Sequence, residues 1–206
     1  MKKGLIALAI VAALTLIPIM TKAEINKGSK TRKRLIINGV SYATNYPFLP
    51  IVPNEWTFIT KAEAARAVKK LPFSDTIKRS TFAIIHAEAA QDRVTGRYKG
   101  LNSNYGGVQT DSGVWGTPNF DAQTARIDSG GVPRMFAVFT SFKDFAEFVG
   151  NRLKAKGFEA ATTPDAWTDL YIRTWWAPPV SLRTPQNIAN KRAIYNTAMR
   201  IYSASK

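Results

Sequence analysis

The chain has 206 residues, with 29 Lys and Arg against 14 Asp and Glu, a net charge of +15, one histidine and no cysteine. Its hydrophobic fraction of 45% is typical of globular proteins and excludes a chain that is disordered throughout. The absence of cysteine excludes disulfides, thiolate nucleophiles and cysteine-based zinc sites, and His86 alone cannot build a multi-histidine metal site. We therefore expect no metal or cofactor. Three classes remain: a hydrolase acting through carboxylates, a module that binds an anionic polymer, and a basic structural protein.

The N-terminal residues have the pattern of an export signal. Lys2 and Lys3 precede the apolar run of residues 4–20, and the small residues Thr21 and Ala23 precede Glu24. This pattern predicts a secretory signal peptide over residues 1–23. A retained membrane anchor is the alternative, because the run approaches the about 20 apolar residues that span a bilayer. In both cases we expect an exported protein, located in the periplasm, the cell envelope or outside the cell.

Residues 24–57 predict a basic tail, a small hairpin and a connector. The basic residues of segment 24–34 indicate a solvated linker or a contact with an anionic surface, either lipid head groups or wall polymer. In the case of a membrane, residues 1–34 together would make the contact. Asn38-Gly39 between two short apolar runs predicts a hairpin with a type I′ turn. Three prolines then predict an extended connector to a main domain over residues 58–206: Pro47, Pro50 and Pro53.

Serine or threonine N-caps in front of periodic apolar residues predict five helices in that domain. The last two also have proline at the first helical position. The five predicted helices start at Thr60, Ser74, Ser141, Thr163 and Thr184, and the second is expected to end near Ala90. The sequence therefore predicts a mainly α domain.

A glycine-rich region interrupts the helices. Residues 93–135 hold eight of the thirteen glycines, together with aromatic and amide side chains. A long irregular segment inside a helical domain is often functional. We interpret it as a ligand-contacting loop, with a β-hairpin that needs its glycines as the alternative.

Glu88 is the main candidate for chemistry. It shares one face of the second helix with Ile84 and Ile85 and lies at the helix C-terminus. Burial and the negative end of the helix dipole both disfavour its charged form, which suits a general acid. An ion pair with Arg93 or Arg126 is the structural alternative. His86 points elsewhere on the helix and is interpreted as structural.

Three segments in this order carry a resemblance to a known family: residues 83–88 (AIIHAE), 101–109 (LNSNYGGVQ) and 136–145 (FAVFTSFKDF). Together they resemble the lysozyme-like superfamily, in particular its glucosaminidase family of flagellar peptidoglycan hydrolases and autolysins. The resemblance covers about residues 58–176. It departs from the family at Ala89-Ala90, where Ser-Gly is usual, and at Phe139, where tyrosine is common. The family's later Tyr-Ala-Thr-Asp-Pro motif is not present.

The resemblance implies a mainly α (α+β), lysozyme-like helical domain in which a small β-hairpin or glycine-rich loop forms the cleft. It implies a muramidase-like or endo-N-acetylglucosaminidase activity on the glycan strands of peptidoglycan, in an enzyme of bacterial or phage origin. By resemblance, Glu88 is the general acid. Asp111 is the candidate second catalytic group, and the substrate's own acetamido group is the alternative. The predicted substrate-binding residues are Asn102, Asn104, Tyr105, Gln109, Trp115 and Trp175.

The charge favours an anionic partner. Bacterial walls are anionic, and a positive surface concentrates such a substrate. Nucleic acid is disfavoured because the cations are dispersed through the helices and no helix-turn-helix or zinc module is visible. Two other hypotheses stay open: a non-catalytic wall-binding or structural protein of a virion or secretion machine, and a basic membrane-associated scaffold held through residues 1–34.

Overall fold

The computed structural model describes residues 33–110, 120, 122–128 and 130–206. Within them, three strands, two α-helices, four strands and three α-helices follow one another along the chain. The strands are β1 (Lys33–Ile37), β2 (Val40–Thr44), β3 (Trp56–Ile59), β4 (Ala90–Gln91), β5 (Tyr98–Leu101), β6 (Ala122–Ile127) and β7 (Pro133–Val138). The helices are α1 (Lys61–Lys69), α2 (Asp75–Glu88), α3 (Phe142–Ala155), α4 (Pro164–Leu170) and α5 (Pro185–Ala204).

The prediction of a mainly α domain is wrong. The described residues form three small antiparallel sheets beside the helices, with the strand orders β1-β2, β3-β5-β4 and β6-β7, so the fold is mixed α+β. Strands β3, β4 and β5 were missed because they are short and contain glycine or polar residues, and a β-hairpin such as β6-β7 was only the alternative for the glycine-rich region. Their pairing also joins distant segments, as where Phe58 pairs with Lys99. Strand formation in such segments depends on tertiary packing more than on local propensity.

The predicted N-terminal hairpin is confirmed. Strands β1 and β2 pair around Asn38 and Gly39, whose φ angles of 50° and 76° are those a type I′ turn requires. The hairpin packs on β7 through a small apolar cluster of Leu35, Tyr42 and Met135. It is therefore joined to the rest of the fold through side-chain packing as well as through the chain.

A buried polar network holds the connector after the hairpin. Gln123, on β6, is fully buried and accepts hydrogen bonds from the hydroxyls of Thr44 (2.9 Å) and Thr110 (3.2 Å). Its amide nitrogen donates to the carbonyl oxygens of Tyr46 and Leu49. The connector consequently lies against β6, and the boundary expected between residues 57 and 58 falls inside β3.

The predicted helix starts are confirmed. Thr60 and Glu63 form a reciprocal capping box at α1, and Ser74, Ser141, Thr163 and Thr184 cap the other four helices. α2 ends two residues earlier than expected because Ala89 is extended and leads directly into β4. α4 continues as a π-helical turn, Tyr171–Trp176, which ends at Ala177 in a left-handed conformation.

The main core surrounds α2. The apolar residues of its C-terminal half, Phe82, Ile84 and Ile85, are buried in one cluster with aromatic residues of the later helices, among them Phe145 and Trp167. The last turn of α2 is therefore fixed by packing, and so is the position of the acid that ends it.

None of the helices among the described residues is both long and apolar enough to cross a bilayer. The predicted signal peptide and most of the basic tail, residues 1–32, lie outside the described residues.

Candidate functional site

Glu88 is the last residue of α2 and is half-buried. Its Oε1 accepts a hydrogen bond from the hydroxyl of Tyr171, a contact between residues 83 positions apart in the chain. Neither Arg93 nor Arg126 lies within ion-pair distance of Glu88, and no other cation of the described residues does. The ion pair considered from the sequence is therefore not formed, and a neutral donor holds the carboxyl group.

Tyr171 reaches Glu88 from the π-helical turn that follows α4. Its ring is fully buried and stacks on Trp167, with the ring centroids 4.9 Å apart and the planes 14° from parallel. Burial, followed by the charge of Glu88 and the hydrogen bond to it, raises the pKa of the Tyr171 hydroxyl well above its usual value. Tyr171 therefore stays protonated and remains a hydrogen-bond donor to Glu88.

A cation lies behind the tyrosine. The Nζ atom of Lys191, on α5, is 3.4 Å from the Tyr171 hydroxyl oxygen. It also lies 4.5 Å from the centroid of the Trp176 ring and 5.1 Å from that of the Tyr171 ring, within the range of cation–π attraction. Glu88, Tyr171 and Lys191 thus form a continuous hydrogen-bonded chain beside the indole of Trp176.

Sequence reasoning missed the roles of Tyr171, Lys191 and Trp176. The sequence did hold a signal for Tyr171. Trp175-Trp176 stands roughly where the family has its Tyr-Ala-Thr-Asp-Pro motif, and Tyr171 lies five residues before Trp176. Lys191 gave no signal, since nothing in the sequence brings α5 next to the end of α2.

His86 lies in the last turn of α2 but belongs to a different contact. Its Nδ1 is 2.6 Å from the hydroxyl oxygen of the buried Tyr98. Burial, followed by the charge of Lys61, lowers the pKa of His86. This environment agrees with the structural interpretation of His86.

The two predicted asparagines are engaged within the protein. Asn104 is 4% exposed, and its amide nitrogen donates to the carbonyl oxygens of Val108 (2.9 Å) and Ala137 (3.0 Å). Asn102 accepts from the backbone nitrogen of Glu55 and donates to the carbonyl oxygen of Pro53. Both side chains hold the loop after β5 in place, so the geometry favours positioning roles for them over direct contact with a ligand.

The other predicted binding residues that the structure describes differ in how exposed they are. Tyr105 is 4% exposed and packs edge-on against Phe142 in the core, with the ring centroids 5.3 Å apart. Gln109 and Trp175 are partly exposed, and Trp175 packs against the main core. Asp111 and Trp115 lie outside the described residues. Of the predicted residues that the structure describes, Glu88 is the one acid, and its carboxyl group is half-buried and held by the Tyr171 hydroxyl.

The chemistry available at this site is proton transfer. Across the described residues, no group of three or more histidine, aspartate or glutamate side chains is arranged to hold a metal ion. A half-buried carboxyl group with one fixed hydroxyl donor can release and recover a proton, and the adjacent aromatic ring supplies an apolar wall.

No family model, curated protein or solved structure matches this chain. Three features of the chain therefore bear on its function: the geometry around Glu88, the positive charge and the resemblance of the three sequence segments.

Proposed function

We propose that this protein is a peptidoglycan hydrolase that cleaves the glycan strand between amino sugars, with Glu88 as the general acid. The observation that carries the proposal is the half-buried Glu88 carboxyl group at the end of α2, held by the Tyr171 hydroxyl and without an ion-pair partner among the described residues. The resemblance of residues 83–88 to the catalytic segment of the glucosaminidase family supports the same assignment.

Glu88 would protonate the glycosidic oxygen as the bond to the leaving sugar breaks. Negative charge then develops on the carboxyl group, and the Tyr171 hydroxyl already points at Oε1. A donor aimed at developing charge stabilises the transition state more than the ground state. Lys191, at 3.4 Å from the tyrosine oxygen, polarises that hydroxyl further.

A second group must stabilise the positive charge that develops at the sugar. We assign this role to Asp111 or to the acetamido group of the substrate. An inverted product would assign the role to a carboxylate such as Asp111, because inversion needs a carboxylate about 6.5–9.5 Å from the acid to activate water. A retained product fits the acetamido group or a carboxylate about 5–5.5 Å from the acid, and Asp111→Asn then separates these two.

The charge of the chain supports an anionic polymer as the substrate. A net charge of +15 raises the local concentration of such a polymer at the protein surface. Peptidoglycan is such an anionic polymer. An exported protein would meet it outside the cytoplasm, which is the proposed location.

The test is digestion of purified peptidoglycan followed by mass spectrometry of the released muropeptides. We expect release by the wild-type protein, loss of release in Glu88→Gln, and full release in Glu55→Gln, a matched change at an exposed glutamate. Reducing ends would identify the bond that is cut, and anhydro ends would identify a lytic transglycosylase. Retained release in Glu88→Gln would refute the assignment, and wall binding without release by the wild type would favour the non-catalytic alternative.

A further inference from the structure

The sheet β3-β5-β4 presents two exposed aromatic side chains on one face. Trp56 and Phe58 alternate along β3 and are 40% and 46% exposed. Lys99, on the central strand β5, pairs with Phe58 in register, so its side chain lies on the same face. Large apolar side chains clustered on a sheet surface are a common mark of a binding site.

Two cations accompany these rings. Lys99 Nζ lies 4.1 Å from the centroid of the Trp56 ring and 5.9 Å from that of Phe58. The guanidinium carbon of Arg126, on β6, lies 4.7 Å from the centroid of Trp56. Arg126 reaches the ring because β6 is fixed to the connector by the Thr124 hydroxyl, which donates to Val52 O (2.8 Å). We call Trp56, Phe58, Lys99 and Arg126 the aromatic–cationic face.

The positive charge of this face is not neutralised by an ion pair. Neither Lys99 nor Arg126 has an acidic partner within 4 Å in the part of the chain that the structure describes. Asp92 interacts with Lys99 electrostatically but forms no ion pair with it, and its Oδ1 accepts from the backbone nitrogen and hydroxyl of Thr95 at 2.8 and 2.7 Å. The two cations thus keep their capacity to bind a carboxylate.

The sheet β3-β5-β4 connects this face to the segment that follows Glu88. Lys99 pairs on its other side with Ala90, which is exposed and follows Glu88 by two residues. Neighbouring strands are about 4.8 Å apart, so Trp56 and Phe58 lie about 10 Å across the sheet from the strand that Glu88 leads into. A polymer bound at Glu88 needs only a few sugar rings to reach that far.

We propose that the aromatic–cationic face is a subsite for the peptidoglycan strand, in which the aromatic rings contact sugar and Lys99 and Arg126 bind the carboxylates that the strand carries. The identity of this ligand rests on the proposed function. Charge complementarity argues for it: a neutral polysaccharide would use the rings but leave the two cations without a partner. A carboxylate-bearing strand uses both features.

The experiment measures co-sedimentation with insoluble peptidoglycan in a Glu88→Gln background, so that turnover does not remove the ligand. Trp56→Ala and Lys99→Gln are each expected to weaken binding about tenfold. The matched controls are Phe48→Ala, an aromatic residue 72% exposed elsewhere, and Lys143→Gln, an exposed lysine of α3. Both controls are expected to bind as the background protein does.

Two further ligands test the charge requirement. Peptidoglycan with its carboxylates converted to amides, and chitin as a neutral amino-sugar polymer, should bind the background protein about as weakly as Lys99→Gln binds native peptidoglycan. Equal binding of native and amidated peptidoglycan would overturn the proposal. Unchanged binding by Lys99→Gln would also overturn the proposal. This variant changes only the surface of the sheet, so it tests the proposal even if Trp56→Ala does not fold. Equally tight binding to anionic vesicles through Trp56 and Lys99 would overturn it in favour of a membrane surface.

The outcome is separable from that of the proposed function. Muropeptide release by the wild-type protein tests hydrolysis, whereas sedimentation of the variants tests the aromatic–cationic face. If the wild type releases no muropeptide but Trp56→Ala and Lys99→Gln lose binding, the face stands as a wall-binding surface and hydrolysis is refuted.

Discussion

Replacing Tyr171 with phenylalanine tests how the Glu88 carboxyl group is stabilised. The substitution removes one hydroxyl and keeps the ring that stacks on Trp167 at 4.9 Å. The lost interaction is a hydrogen bond to a group that becomes charged during the reaction, worth about 1.5–3 kcal/mol. Because each 1.4 kcal/mol corresponds to about a tenfold change in rate, we expect kcat for muropeptide release to fall about 10- to 150-fold.

The effect should fall on kcat with KM nearly unchanged, because the hydroxyl acts on charge that develops after the substrate has bound. The matched control is Tyr195→Phe, since Tyr195 also packs on Trp167, at 5.0 Å, whereas the hydroxyl donor to Glu88 is that of Tyr171. Both variants should fold, which thermal unfolding can verify. If Tyr171→Phe keeps kcat within about twofold of the wild type, or if Tyr195→Phe loses as much activity, the role assigned to Tyr171 is refuted.

The remaining predictions concern stability. Gln123→Leu should lower the free energy of unfolding by about 3 kcal/mol or more, because Thr44 and Thr110 lose their buried acceptor; a urea denaturation curve with an unchanged midpoint would contradict this. The pKa of His86 is lowered in the folded protein, so its contribution to stability is fully present above pH 6.5 and is lost as the pH falls from 6.5 through the folded-state pKa. The melting temperature should accordingly decrease over that interval in the wild type and less in His86→Gln, and equal slopes in the two proteins would rule out this assignment.

The helices were predictable because their signals are local. Each start is marked by a serine or threonine whose side chain accepts from a backbone nitrogen three residues later, as at Thr60 and Ser74. Glu88 was predictable for the same reason, since helical spacing alone puts it after Ile84 and Ile85 on one face. The type I′ turn at Asn38-Gly39 was likewise encoded by the two residues that adopt positive φ.

The sheets and the partners of Glu88 were not predictable from local pattern. β3 pairs with β5 across the whole of α1 and α2, so its strand character depends on a contact between distant segments. Tyr171 meets Glu88 only because α4 and its π-helical turn pack against the end of α2. The aromatic–cationic face depends in the same way on β6 lying beside the connector, which places Arg126 over Trp56.

The sequence alone therefore determined the helix starts, the strong positive charge, the absence of thiol chemistry and the acid at the end of α2. Each of these depends on residue identity or on neighbours within about one helical turn. The tertiary structure decided the mixed α+β fold, the hydroxyl donor to Glu88 and the surface around Trp56. These depend on which distant segments the hydrophobic core brings together, and a single sequence carries no local signal for those contacts.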